Sequence, residues 1–136
     1  MNPSIHFWIV HNNIDKRQRI REITYKHFSQ SHRILILVPN QPSLIFVDQL
    51  LWQMGPDQFI PHTISSEPIQ AAVVITAEVA NLNQAQVLWN LSGSGCSIAN
   101  QFEHIHELDD RTDATKAQSA LKKKEYYQAA GFLETT

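Results

Sequence analysis

The sequence predicts an α/β domain of three layers, built on a mostly parallel sheet of about five strands, and three observations carry that prediction. Two internal runs, Ile34-Leu35-Ile36-Leu37-Val38 and Ala71-Ala72-Val73-Val74-Ile75, are apolar at every position, so both of their faces are covered, as in a parallel sheet flanked by helices. Strand-like runs alternate with longer helix-like ones. The chain has 136 residues, 43% hydrophobic and 18% charged, a balance that supports one core and a single domain over residues 1–136.

Ile5 to Val10 is a short β-branched and aromatic run, closed by His11-Asn12-Asn13, and reads as a buried first strand. From Ile14 to Gln30, Ile20, Ile23, Thr24, His27 and Phe28 recur at helical spacing; Asn12 or Asn13 supplies the cap, and Lys16, Arg17, Arg19 and Arg21 remain for solvent. Ile34 to Val38 is the second strand, ended by Pro39. In the second helix Pro42 occupies the first turn, Leu44, Val47, Leu51 and Met54 line one face, and Gly55-Pro56 stops it. Ile69 to Thr76 and Gln86 to Leu91 are the next strands. Residues 77–85 alone separate them, fewer than the roughly twelve of a helical crossover, so the join is either a loop across the sheet or an antiparallel return. Ser97 can cap a short helix reaching Phe102, and His104 to Leu108 fits a fifth strand at the sheet edge. Asp113 to Ala130 lacks Gly and Pro, is rich in Ala, Lys and Gln, and runs into Gly131 as a final helix.

The charge balance excludes bulk attraction to nucleic-acid phosphates as the mode of action, since eleven Lys and Arg against thirteen Asp and Glu leave a net charge of -2. Cys96 is the one cysteine, which excludes an intramolecular disulfide and a Cys-rich zinc cluster and fits a reducing, cytoplasmic setting. The N-terminus lacks the pattern of a signal peptide, and no apolar run reaches the length of a membrane span. His11-Asn12-Asn13-Ile14, after the first strand, offers no glycine for the approach of a dinucleotide pyrophosphate, so no cofactor is expected. Gly93-Ser94-Gly95-Cys96-Ser97 can cradle an anion, which keeps a small α/β enzyme or nucleotide-binding protein as the alternative function. It lacks both the Walker lysine and the serine-hydrolase elbow. Cys96, with no locatable histidine partner, reads as a small semi-buried residue. His104 and His106 share one side of a strand, but two ligands do not make a metal site, and the plainer reading is a solvated edge-strand pair. Glu107, Asp109 and Asp110 read as a solvated, helix-capping turn. No catalytic set emerges, and a non-enzyme is expected.

The most unusual stretch is Leu51-Trp52-Gln53-Met54-Gly55-Pro56-Asp57-Gln58-Phe59-Ile60-Pro61-His62, a helix end and a loop with more apolar surface than loops need. Trp52 and Phe59 either cover the sheet edge as core or anchor a protein partner, and composition does not choose. Three features resemble the chi subunit family of bacterial DNA polymerase III: Phe7-Trp8-Ile9-Val10 as an aromatic first strand; Asp48, Leu51-Trp52 and Phe59-Ile60-Pro61-His62 as a Leu-Trp, six residues, Phe-x-Pro-His signature; and Tyr127-x-x-x-Gly131-Phe132 at the close.

The resemblance implies a Rossmann-like, non-catalytic adaptor of the clamp-loader complex in DNA replication. It implies a contact with the psi subunit through Trp52, Phe59, Pro61 and His62, for which a helicase related to the nucleotide-excision-repair helicases competes. It also implies that Lys123, Lys124, Tyr127 and Phe132 hold the acidic, Phe-ended C-terminal tail of single-stranded-DNA-binding protein. The sequence departs from the family at that helix, with Lys124 in place of an aromatic residue, Glu125 in place of a basic one and Gln128 where an Arg is common. Read from the residues alone, Lys122-Lys123-Lys124 is a solvated helix face. Clustered ammonium groups beside Phe132 also suit a peptide that ends in a carboxylate and a Phe ring.

Overall fold

The chain runs β1 (Ser4–Val10), α1 (Asn13–Ser29), β2 (Ile34–Leu37), α2 (Gln41–Trp52), β3 (Thr63–Ile64), β4 (Val73–Thr76), β5 (Val87–Asn90), β6 (His104–Asp110) and α3 (Ala114–Ala129) in a computed structural model that describes residues 3–135. The strands form one sheet in the order β1-β6-β5-β2-β4-β3, and every neighbouring pair is parallel. A parallel sheet must be covered on both faces, and the side chains divide accordingly. Val10, Ile34, Ile36, Ile75 and Trp89 pack with Ile20 and Ile23 of α1 and Val47 and Leu50 of α2. Ile5, Leu35, Leu37, Val74 and Leu88 pack on the other face with Tyr127 of α3. Each large apolar side chain buried in this way contributes roughly 1.5–3 kcal/mol. The result is the Rossmann-like α/β arrangement, with six strands where about five are expected. The additional strand, β3, is two residues long, too short for any alternation to show.

The helix starts follow local chemistry. Asn12, Asn40 and Asp113 each accept a hydrogen bond from the backbone N–H three residues on, at 2.8, 3.0 and 2.8 Å. After α3 the chain reverses at Gly131, whose φ of 89° is open to glycine at little cost. Ser97 makes no cap; the short helix is a single 3-10 turn, Ala99–Gln101.

Three expectations are corrected by the sheet order. β1, expected to be buried, is an edge strand, with Ile9 exposed and the free side met by the Glu134 segment. β6, expected at the edge and ending at Leu108, lies between β1 and β5 and continues to Asp110 in register with Val10. Glu107, Asp109 and Asp110 are therefore buried strand residues and not a solvated turn. Three carboxylates in four positions mask a strand, but each buried acid has its own partner: Lys123 for Glu107, Arg111 and Lys124 for Asp109, Lys16 for Asp110.

The β4-to-β5 join is a parallel crossover without a helix, carried by residues 77–86 over β2. Leu82 and Ala85 of this loop cover the α3 face of the sheet. Asparagine side chains supply the hydrogen bonds that a helix would have supplied: Asn81 donates to the Ala85 carbonyl at 3.1 Å and accepts from its N–H at 2.8 Å. Asn83 donates to the Ile34 and Ala71 carbonyls at 3.2 and 3.0 Å.

His106 is not a solvated partner of His104. Its Nδ1 accepts from Trp8 Nε1–H at 3.0 Å, and Trp8 can only donate, so neutral His106 carries its proton on Nε2. That N–H donates to His27 Nε2 at 2.8 Å, and His27 Nδ1–H in turn donates to His32 Nδ1 at 2.9 Å. The donor direction is thus fixed along the whole chain by one indole. A second proton on His27 or His106 would break a link. Burial, reinforced by the neighbouring imidazoles, lowers His27 to about 4 and His106 to about 3. Between about pH 4 and the ordinary value of 6.5 the unfolded chain therefore binds more protons, and stability falls as pH falls, by up to about 1.4 kcal/mol per pH unit for each group. Urea denaturation from pH 7.5 to 4.5 should show this slope, and His27→Gln, which can still accept and donate, should flatten it. A variant as acid-sensitive as the wild type would refute the role of the chain.

Candidate functional site

The α2 sequence is apolar on more than one side. Leu44, Val47, Leu50 and Leu51 face the sheet, while Ile45, Phe46 and Trp52 point outward, Trp52 being 58% exposed. Past the Gln53 cap the chain makes a 3-10 turn at Pro56–Gln58, leaves Phe59 52% exposed and turns Ile60 fully inward. The Trp52 and Phe59 rings lie 5.7 Å apart, and Trp52 meets the ring of His62 edge-on at 4.8 Å. His62 is buried beneath them: Nδ1–H donates to the Ile60 carbonyl at 2.7 Å, and Nε2 stands 3.1 Å from Asp48 Oδ1, outside good hydrogen-bond alignment. Asp48, Trp52, Phe59, Pro61 and His62 thus come together, with His62 bracing the aromatic pair and Pro61 at the surface. Sequence reasoning missed Ile45 and Phe46. Their signal was three apolar residues, Ile45, Phe46 and Trp52, placed off the core stripe of α2.

On the other sheet face, the four residues expected near the end of α3 separate into two pairs. Lys123 and Tyr127 are buried, which corrects the solvated-face reading of the lysine run at its middle residue. Lys123 Nζ donates to Glu107 Oε1 at 3.0 Å, and Tyr127 O–H donates to Glu107 Oε2 at 2.5 Å. Asn90 Nδ2 adds a 2.7 Å bond to Glu107 Oε2. Burial pushes the Glu107 carboxyl up against the pull of Lys123, Tyr127 and Asn90, and burial together with the Glu107 charge pushes the Tyr127 phenol up. Lys124 and Phe132 remain partly exposed. Lys124 Nζ lies 3.1 Å from Asp109 Oδ2 and 5.2 Å from the Phe7 ring centre, and Phe132 packs edge-on against Tyr127 at 5.8 Å. The Arg111 hydrogen bonds, ahead of Lys124, hold Asp109 below the usual carboxylate range. Ile5, Phe7, Lys124, Gln128 and Phe132 line a shallow depression at this end of the helix.

Part of the Gly93–Ser97 turn is engaged in packing. Asn90 binds the Ser94 carbonyl at 2.9 Å and accepts from Ser92 Oγ at 2.6 Å, and Tyr127 Oη accepts from Cys96 N–H at 3.0 Å. A Cβ on Gly95 would stand 2.2 Å from the Tyr126 ring, so this glycine admits a side chain and not an anion. Burial raises the Cys96 thiol, the opposite of an activated nucleophile. Among the described residues, no three His, Cys, Asp or Glu side chains are placed to hold a metal ion, and no helix is long and apolar enough to cross a membrane.

Fold and surface together define a parallel α/β protein that exposes Ile45, Phe46, Trp52 and Phe59 on α2 and the turn after it. The model of the family described as DNA polymerase III chi subunit, HolC, matches residues 2–134, and the chain belongs to that family, an accessory subunit of the replicative polymerase. The chain is 27% identical over 96 residues to the DNA polymerase III subunit chi of Haemophilus influenzae, covering 68% of this chain and 67% of that one. It is 25% identical over 118 residues to the subunit chi of Escherichia coli K12, covering 85% and 80%.

The buried pair makes a direct prediction. Lys123→Met strands the Glu107 carboxyl and should lower stability by about 3–5 kcal/mol in chemical denaturation, whereas adding Glu107→Gln to it should recover most of the loss. Equal stabilities of Lys123→Met and wild type would contradict the internal role of Lys123.

Proposed function

We propose that this chain is a one-domain, non-catalytic, cytoplasmic adaptor of the polymerase III complex that joins the psi subunit to the acidic C-terminal tail of single-stranded-DNA-binding protein. The observation that carries the reading is the separation of its two surfaces: the Trp52–Phe59 pair belongs to the α2 face of the sheet, and Lys124 with Phe132 belongs to the α3 face. Two partners can then be held at once without competing for space. The psi subunit docks on Trp52, Phe59 and Pro61, over the His62 support, with Ile45 and Phe46 widening the apolar area. A helicase of the repair type competes for the same patch. Exposed aromatic side chains on a rigid support are what interface anchors require.

The tail's acids and terminal carboxylate meet Lys124 and the exposed Lys122, and its Phe ring packs by Phe132. Lys123 and Tyr127 serve this site from behind, by fixing the helix that presents it. DNA is reached through the tail-bearing protein, in keeping with the net charge of -2.

Trp52→Ala and Phe59→Ala should each weaken psi binding by about thirtyfold, roughly 2 kcal/mol, with the melting temperature nearly unchanged, as read by calorimetry and thermal denaturation. Full-strength psi binding by both variants would refute the patch assignment. Lys124→Glu should weaken binding of a tail peptide by about tenfold or more and leave psi binding intact, and raised salt should weaken the wild-type contact in parallel. Unchanged tail affinity in that variant would place the tail elsewhere.

A further inference from the structure

A second surface on the α2 face has no role in the adaptor reading. The net charge of the chain is -2, yet α1 carries Lys16, Arg17, Arg19, Arg21 and Lys26 against Asp15 and Glu22. The local acids are already engaged: Asp15 with the Asn12 cap, and Glu22 with Gln18 at 2.9 Å and Arg19 at 3.4 Å. Lys16 is held by Asp110, and Arg19 also lies 4.7 Å over the Trp8 ring. Among the described residues, Arg17, Arg21 and Lys26 have no carboxylate within ion-pair distance. They span about 14 Å of helix at 1.5 Å per residue. Arg21 and Lys26 open onto a cavity of about 580 Å³ between α1 and the end of α2, whose wall includes the half-buried Tyr25 and Met54.

We infer that this cavity is a docking site for a short acidic peptide segment with one apolar side chain. Charge complementarity selects an anionic occupant, since free cations at the rim have no partner of their own. The volume admits a few side chains, and Tyr25 and Met54 give an apolar one somewhere to pack. The polar wall separates peptide from nucleic acid. Gln18, Gln53 and Gln58 offer donors and acceptors, and Glu22 offers only an acceptor. A peptide backbone presents N–H and C=O groups to match both donors and acceptors of this wall, whereas a phosphodiester backbone presents acceptors alone. This site is independent of the tail site at Lys124, which lies on the other face of the sheet.

The test uses the full chain and a fluorescein-labelled peptide of two aspartates, a leucine and two more aspartates, read by anisotropy in low salt. Arg21→Glu combined with Lys26→Glu should weaken binding by about tenfold or more, while Lys124→Glu should leave it unchanged. Both rim residues are partner-free at the surface, so a melting curve should show the double variant folded. Replacing the leucine of the probe by glycine should weaken binding to the wild type and make no further difference to Met54→Ala. No binding by the wild type, or loss on Lys124→Glu with the rim variant unaffected, overturns the inference. Tighter binding of an oligothymidylate that the rim variant abolishes also overturns it, in favour of nucleic acid.

Discussion

The burial of one carboxylate, Glu107, organises the half of the molecule that surrounds it. It sits in the middle of β6 with no solvent contact, and a buried carboxyl costs several kcal/mol unless its oxygens are satisfied. Satisfaction draws in Lys123 and Tyr127 from α3 and Asn90 from β5. Asn90 then holds the Ser92–Ser94 turn, and Tyr127 takes the Cys96 N–H, so a strand, a helix and a loop are fixed by one network. The same constraint sets the helix rotation: with Lys123 and Tyr127 turned inward, Lys122 and Lys124 are the lysines left to the surface.

The sheet imposes the second constraint. Six parallel strands need cover on both faces, but the chain supplies two helices to one face and a single helix to the other. Residues 77–103 make up the difference with loop side chains, Leu82, Ala85, Cys96, Ala99 and Phe102. Backbone groups in such loops cannot rely on a helical ladder, so asparagines at 81, 83 and 90 complete the hydrogen bonding. The turn that resembles a phosphate cradle is tied to this network through the Ser94 carbonyl and the Cys96 N–H. Its glycine answers to the ring of Tyr126, and its cysteine is part of the core.

On the helix-rich face, α2 has more apolar side chains than the sheet can cover. The surplus, Ile45, Phe46 and Trp52, continues into Phe59 across a turn held by His62 and Asp48. Exposed aromatic area carries an aggregation cost that a solitary protein has no reason to bear, and its rigid support distinguishes it from a frayed helix end.

The sequence by itself determined the order of the elements other than β3, all three helices, the asparagine cap of the first, and the buried central strands, because these depend on local periodicity and on a side chain that reaches its own backbone. It also carried the signature residues that assemble around Trp52 and Phe59, since Asp48 to His62 is contiguous chain folded over a single helix end. Only the tertiary structure decided that β6 is interior and that Glu107, Asp109 and Asp110 are strand residues, because polarity disguises a strand whose neutralising cations come from sixteen or more residues away for Glu107 and from another helix for Asp110. The same holds for Lys123 and Tyr127. Lys122, Lys123 and Lys124 have the same chemistry in sequence, and what separates the inward one from its neighbours is the position of a carboxylate on a strand that the sequence disguises.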